Sequence, residues 1–403
     1  MILFLIELFL VLAFISAITF RSLIAPSVLV PFIWFFILMF YGIADHGMYE
    51  LSNGVLFAIF LWVATFYIGS VFFQIVNIKN NICIGKINPL VRDIYFYITL
   101  IGFPFYVYVI YLQGTTMQEG NFLFNLRMAN TGIVKSEYDL GILAYVNTFA
   151  FVCYIIELFL YNKLYRNRFL IVLIINIALA VFSMAKTSIF FLIFPAIIML
   201  FIKKRLSRFK LFMALATIVL LFILAGVVRG GDASFDYILD MFKVYTLGGL
   251  PALDILLKEA GAPSVWGMHV FKFFYTFANV FGAGIDLTNT NDIGYAYVPF
   301  ATNVFTVMYP FAADFGYWGI AIFGAINGAV AGMLYRLITK GVVWAYFLYA
   351  FWAGTLCLQF FGEYLFTNLS YIIQLLLLFV LATKFKINRV KIFASRTGFY
   401  GAK

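Results

Sequence analysis

Six residues are of types that could do chemistry. Three are cations set against long apolar runs: Arg127 in "FNLRMANTG", Lys186 in "FSMAKTSIFF" and Arg229 in "VVRGGD". A basic side chain beside hydrocarbon is costly unless it has a partner or water. Three of them at one level would suit a phosphate or pyrophosphate group, Arg through its planar fork and Lys as a point charge. Each could equally snorkel to lipid headgroups by itself. The other three can exchange or hold a proton. Asp314 stands in "NVFTVMYPFAADFGYWG", among aromatics, ahead of a long apolar run. It could cap a helix beginning at Gly316 or Tyr317, which does not exclude a second role. His269 is one of two histidines, in a segment that reads as an apolar helix, where a lone His is ordinarily structural. Asp232 opens a row with Asp236 and Asp240 at four-residue spacing, read first as a solvated helix face and second as a metal site.

The elements that must position these residues are membrane-spanning. The 403 residues are 65% hydrophobic and 11% charged, with a mean hydropathy of +1.02. That composition belongs to an all-α, polytopic membrane protein. The 51 Phe and 26 Tyr suit buried and interfacial positions respectively. Apolar runs long enough to span predict helices near 2–20, 23–43, 54–76, 94–113, 140–160, 169–183, 188–202, 211–228, 317–338, 342–361 and 365–383, about eleven in one integral membrane domain over 1–403. The sixth and seventh are short. The first run lacks a basic flank and a small-residue cleavage site, so it reads as a retained helix.

Most of the 27 Lys and Arg fall in alternate loops: Arg21; Lys79 to Arg92; Lys163 to Arg168; Lys203 to Lys210; Arg336 and Lys340; and a basic tail over 384–403. Positive-inside then puts the C-terminus in the cytoplasm and the N-terminus outside. Arg127, Lys186 and Arg229 fall on the outer side, against that signal. The outer side also holds a loop over 114–139 and a large stretch over 229–316. "DASFDYILDMFKVY" puts Phe235, Ile238, Leu239, Phe242 and Tyr245 on one helical face, an amphipathic helix that could cap a cavity. A second short helix is expected from Pro251, and a third over "SVWGMHVFKFFYTFANVFG".

Several classes are excluded. No P-loop, no GxGxxG and no HExxH occurs, and no GxSxG nucleophile turn. Two histidines outside the spans make a metal-centred mechanism unexpected, and no cofactor motif is present. Cys83, Cys153 and Cys357 are scattered and form neither a disulfide framework nor a metal site. Once placed on the topology, the net charge of +10 reads as topogenic and not as nucleic-acid binding.

The string "NVFTVMYPFAADFGYWGIAIFGAINGAVAGMLYR" resembles a segment of the oligosaccharide repeat-unit polymerases, the Wzy-type O-antigen and capsule polymerases. There an Asn-x-φ-Thr entry, an aromatic run and Asp-Phe-Gly-x-x-Gly precede a Gly-rich span. "VVRG" at 227–230, "YTLGGLPALD" at 245–254 and "FSMAKTSIFF" at 182–191 are similar to that family too, in order along the C-terminal two-thirds. The family often has Arg where this chain has Lys186, which keeps the charge and loses the bidentate geometry.

The resemblance implies a GT-C-like membrane glycosyltransferase that uses neither nucleotide nor essential metal. Its substrate would be an oligosaccharide on a polyprenyl (undecaprenyl) pyrophosphate at the outer leaflet of the bacterial inner membrane. The growing chain would pass to the sugar of the next lipid-linked unit, giving O-antigen, capsule or exopolysaccharide. Arg127, Lys186 and Arg229 would hold the pyrophosphate. Asp314, then His269, then Asp232 are the candidates for the base. Tyr245, Asn303 and Tyr309 would meet the sugar or acceptor. Expected partners are membrane lipid, a chain-length regulator and a flippase of the same pathway. Two other functions fit much of the pattern: an O-antigen ligase with a different acceptor, and a flippase in which Gly316, Gly319, Gly324, Gly328 and Gly332 loosen a helix.

Overall fold

The computed structural model describes residues 1–43, 46–76, 85–116, 121–131, 138–162, 164–207, 209, 212–213, 216–217, 235–259, 265–287 and 294–384. The expected eighth span, 211–228, lies almost wholly outside them, and so do Cys83, Arg229, Asp232 and the tail beyond Lys384. The helices in chain order are α1 (Ile2–Phe20), α2 (Pro26–Ile43), α3 (Asn53–Ile75), α4 (Pro89–Thr116), α5 (Phe122–Thr131), α6 (Tyr145–Leu160), α7 (Arg166–Phe182) and α8 (Lys186–Ile202). Then come α9 (Phe235–Leu247), α10 (Gly249–Glu259), α11 (Lys272–Val280), α12 (Tyr309–Thr339), α13 (Val343–Leu356) and α14 (Leu369–Leu381). Two-residue strands pair antiparallel: β1 (Lys86–Ile87) with β4 (Thr383–Lys384), and β2 (Ala296–Tyr297) with β3 (Ala301–Thr302).

This is a multi-pass, all-helical membrane protein. Among the described residues six helical stretches are long and apolar enough to cross a bilayer: α1 to α4, Gly141–Leu160 and α12. The cores of α8, α13 and α14 are apolar but shorter.

Its core seam is α3 against α12. Gly324, Gly328 and Gly332 lie one helical turn apart and press onto α3. A Cβ at Gly328 would collide with the Phe66 carbonyl oxygen, and one at Gly332 with that of Ser70. Small residues at this spacing let two backbones approach and gain dispersion contacts where no hydrophobic drive exists. These glycines are occupied in packing. Gly316 is different: at φ 60° and ψ −146° it interrupts α12, leaving a short arm, Tyr309 to Phe315, ahead of the long one. Only glycine takes that backbone without strain.

The two ends of the bundle differ in chemistry. At one end Glu157, with no exposed surface, is gripped by Arg92 (2.6 and 2.8 Å) and by Arg168 (2.7 Å), and Arg168 also reaches Asp93 at 2.5 Å. β1 and β4 close this same end, where α4 begins. The far end of α4 is fixed otherwise. Gln113 donates to the Tyr138 carbonyl (2.8 Å), and Asn125 of α5 donates to the Gly114 carbonyl (3.1 Å).

The expected loop over 114–139 therefore contains a helix, α5, whose first turn is capped by Asn121 Oδ1 accepting from the Phe124 N–H (2.9 Å). The large stretch 229–316 holds α9, α10 and α11. Pro251 lies in the first turn of α10, where its missing N–H costs nothing. Asp254 on that helix accepts from the Ser52 N–H (3.0 Å) and hydroxyl at the start of α3, and pairs with Lys258 (3.1 Å). This bond clips α10 onto the bundle. Segment 265–271 is a series of turns, so His269 precedes a helix and does not sit within one.

Candidate functional site

A cavity of about 910 Å³ opens at the end of the bundle opposite the Glu157 network. Its walls come from α5, the turn between α7 and α8, α9, the turns before α11, the loop 300–306, the short arm of α12 and the turn 361–368. Residues separated by more than two hundred positions thus share one space.

Asp314 and His269 form its best-defined pair. His269 lines the cavity, with its side chain 12% exposed. Its Nδ1 lies 2.7 Å from Asp314 Oδ1. The Asp314 side chain has no exposed surface and also accepts the backbone N–H of His269 (3.0 Å) and of Val270 (2.9 Å). A carboxylate so surrounded by donors holds the neutral imidazole with its proton on Nδ1. That leaves Nε2 as the ring nitrogen able to accept a proton from the cavity. Tyr309, one turn before Asp314 on the same short arm, meets the ring edge-on with centroids 5.6 Å apart. His269 faces the space, and Asp314 lies behind it. Asp314 is bonded across to residues 269 and 270 instead of capping a helix that starts at 316 or 317.

Of the three expected cations, Arg127 lines the cavity from α5. Two asparagines of that helix fix it in place. Asn125 holds the end of α4, and Asn130 donates to the Phe182 carbonyl at the end of α7 (3.0 Å). Lys186 begins α8, and its neighbours Ala185 and Thr187 line the cavity, while its own side chain lies outside the description. Arg229 and Asp232 also lie outside it. The three residues expected to meet sugar all line the cavity: Tyr245, Asn303 and Tyr309. Tyr245 stacks on Phe361, with centroids 5.7 Å apart and planes 14° from parallel.

Three more charged residues line the cavity. Lys272, the first residue of α11, follows His269 by three positions. Burial pushes its ammonium pKa down. Asp240 is the last of the four-spaced aspartates and pairs with Lys243 at 3.4 Å. Glu363 accepts three successive backbone N–H groups, of Leu365 (2.7 Å), Phe366 (2.9 Å) and Thr367 (2.8 Å). Burial pushes its carboxyl pKa up, and those bonds pull it back. Glu363 could be suspected from its place in the turn between the last two spans, but its aim is set by three-dimensional folding. Among the described residues no three His, Cys, Asp or Glu side chains gather as metal ligands.

A concave space with a proton-accepting imidazole, a guanidinium and several aromatic walls can take up a large polar ligand that carries an anion. No family model matches the chain, and no solved structure matches it. The chain is similar to a curated protein of Escherichia coli (strain K12) named "Putative O-antigen polymerase". The two are 22% identical over 406 residues, covering 97% of this chain and 100% of that protein. The likeness carried by short motifs thus extends along nearly the whole sequence.

Proposed function

We propose that this chain is a membrane glycosyltransferase that polymerises oligosaccharide repeat units carried on a polyprenyl pyrophosphate. The observation that carries the reading is the His269–Asp314 pair on the wall of a cavity that Arg127 also lines. The full-length similarity to a protein named as an O-antigen polymerase supports the same class.

The chemistry follows from the residues. An acceptor hydroxyl attacks the anomeric carbon of the donor sugar. A new C–O bond forms, the bond from that carbon to the pyrophosphate breaks, and its electron pair leaves with the phosphate. His269 Nε2 takes the hydroxyl proton, and Asp314 stabilises the imidazolium that forms. Arg127, with Lys186 and Arg229, holds the growing negative charge on the leaving group. Tyr245, Tyr309 and Asn303 place the sugar rings. Asp232 is the remaining base candidate. The reaction needs no metal in this scheme.

In this reading the cavity end faces outward, the Glu157 end faces the cytoplasm, the N-terminus is outside and about eleven spans form a GT-C-like membrane domain in the inner membrane. Donor and acceptor arrive by a flippase, and a chain-length regulator acts on the product. The test is a polysaccharide ladder from cells or proteoliposomes carrying His269→Ala or Arg127→Ala. Folded protein with single repeat units in place of long chains is expected. Normal ladders from both variants overturn the reading, and long chains stranded on the carrier lipid would point to a ligase.

A further inference from the structure

Beneath the cavity floor two amide side chains are buried with half their hydrogen-bonding groups unused. Asn327 on the long arm of α12 has no exposed surface, and Gln359 in the turn after α13 is 1% exposed. The orientation of each amide is fixed by indoles. Trp352 Nε1 donates to Asn327 Oδ1 at 2.9 Å, while Trp34 Nε1 and Trp62 Nε1 both donate to Gln359 Oε1, at 3.0 and 3.2 Å. Flipping either amide would set N–H against N–H. The amide nitrogens must therefore point the other way, and there neither Asn327 Nδ2 nor Gln359 Nε2 has a protein acceptor. A buried donor without an acceptor is destabilising, and here there are two.

Both residues border one small space of about 10 Å³, which Thr355 and Glu363 also line. That is close to the smallest volume that holds one water, and Asn327, Gln359 and Glu363 set polar side chains in an otherwise largely apolar wall. Glu363 borders this space and the main cavity alike. We propose that the space between Asn327, Gln359 and Glu363 binds one water molecule, which accepts from both amides and donates to the Glu363 carboxylate. A water can accept two bonds, one from each amide nitrogen, and give one to the carboxylate. The carboxylate then has a donor from below in addition to the three backbone N–H groups of residues 365–367. It stands fixed on the cavity floor as an acceptor suited to a hydroxyl and unsuited to a phosphate, a consequence that rests on the polymerase reading. The water site itself does not depend on that reading.

The test is a cryo-EM structure of the full chain in lipid nanodiscs, at a resolution that shows ordered waters, of the native protein and of Asn327→Leu. Expected is one density peak within about 3.2 Å of both amide nitrogens and of a Glu363 oxygen, lost in the variant. A native map in which the space is closed or without density, or in which the amides bond to protein atoms, overturns the site. If Asn327→Leu does not fold, the native map decides alone. The peak is read whether or not the protein polymerises, so failure of the site and failure of the function are separate results.

Discussion

Asp314 binds His269 twice, through Nδ1 at 2.7 Å and through the backbone N–H at 3.0 Å, and so fixes both the ring and the turn that carries it. Asp314→Asn keeps the size and one acceptor but loses the charge and can push the ring into the other tautomer. Chain extension should fall by about 10²-fold or more with the protein still folded. Activity within a fewfold of native, measured on equal amounts of purified protein, would mean that the carboxylate serves only to hold the turn.

Arg127 is expected to act by charge and by shape. Arg127→Ala should lower chain extension about 10²–10³-fold. Arg127→Lys should recover part of that loss, because the charge returns and the planar fork does not. Initial rates at saturating lipid-linked substrate separate the two effects. Native rates in both variants would remove Arg127 from the reacting centre.

At the other end, Glu157→Gln leaves two guanidinium groups facing each other in a buried place. The loss should be about 3–5 kcal/mol, as when one partner of a buried pair is removed. Thermal unfolding in detergent, followed by tryptophan fluorescence, should show an early transition. An unchanged Tm would place water at this network.

Gly328→Ala tests the seam. Its Cβ would meet the Phe66 carbonyl, and overpacking of this kind costs about 1–3 kcal/mol. Gly47, at φ 66° with nothing within 4 Å of a Cβ, is the control for backbone strain without crowding. The Gly328 variant should lose stability by crowding, and Gly47→Ala by a strained backbone alone, as thermal melts of both would record.

Much of this was readable from the sequence. Ten of the apolar runs correspond to helices, because twenty apolar residues in a row leave few alternatives. Glu157 pairs with Arg168, close by in sequence, and also with Arg92 on another helix, which no local rule joins to it. Nor does a local rule give the orientation of Asp314 and His269. Helix capping is a local rule, and Asp314 instead found donors forty-five positions away. Helix α5 was hidden by its polar composition, "FNLRMANT", and is held by bonds to the ends of α4 and α7. Hydropathy weighs burial in lipid and is silent about such ties. Gln359 reads as one polar residue in an apolar run, and nothing local says that two distant indoles aim at it.

The interruption at Gly316 divides labour along one helix. Its long arm is fastened to α3 by the glycine seam, whereas its short arm is fastened to residues 269 and 270. The seam that holds the long arm and the bonds that hold His269 are therefore made with different neighbours. The arms still meet across the break, where Phe311 of the short arm stacks on Phe323 of the long one at 4.8 Å, so a change at either ring is felt on both sides.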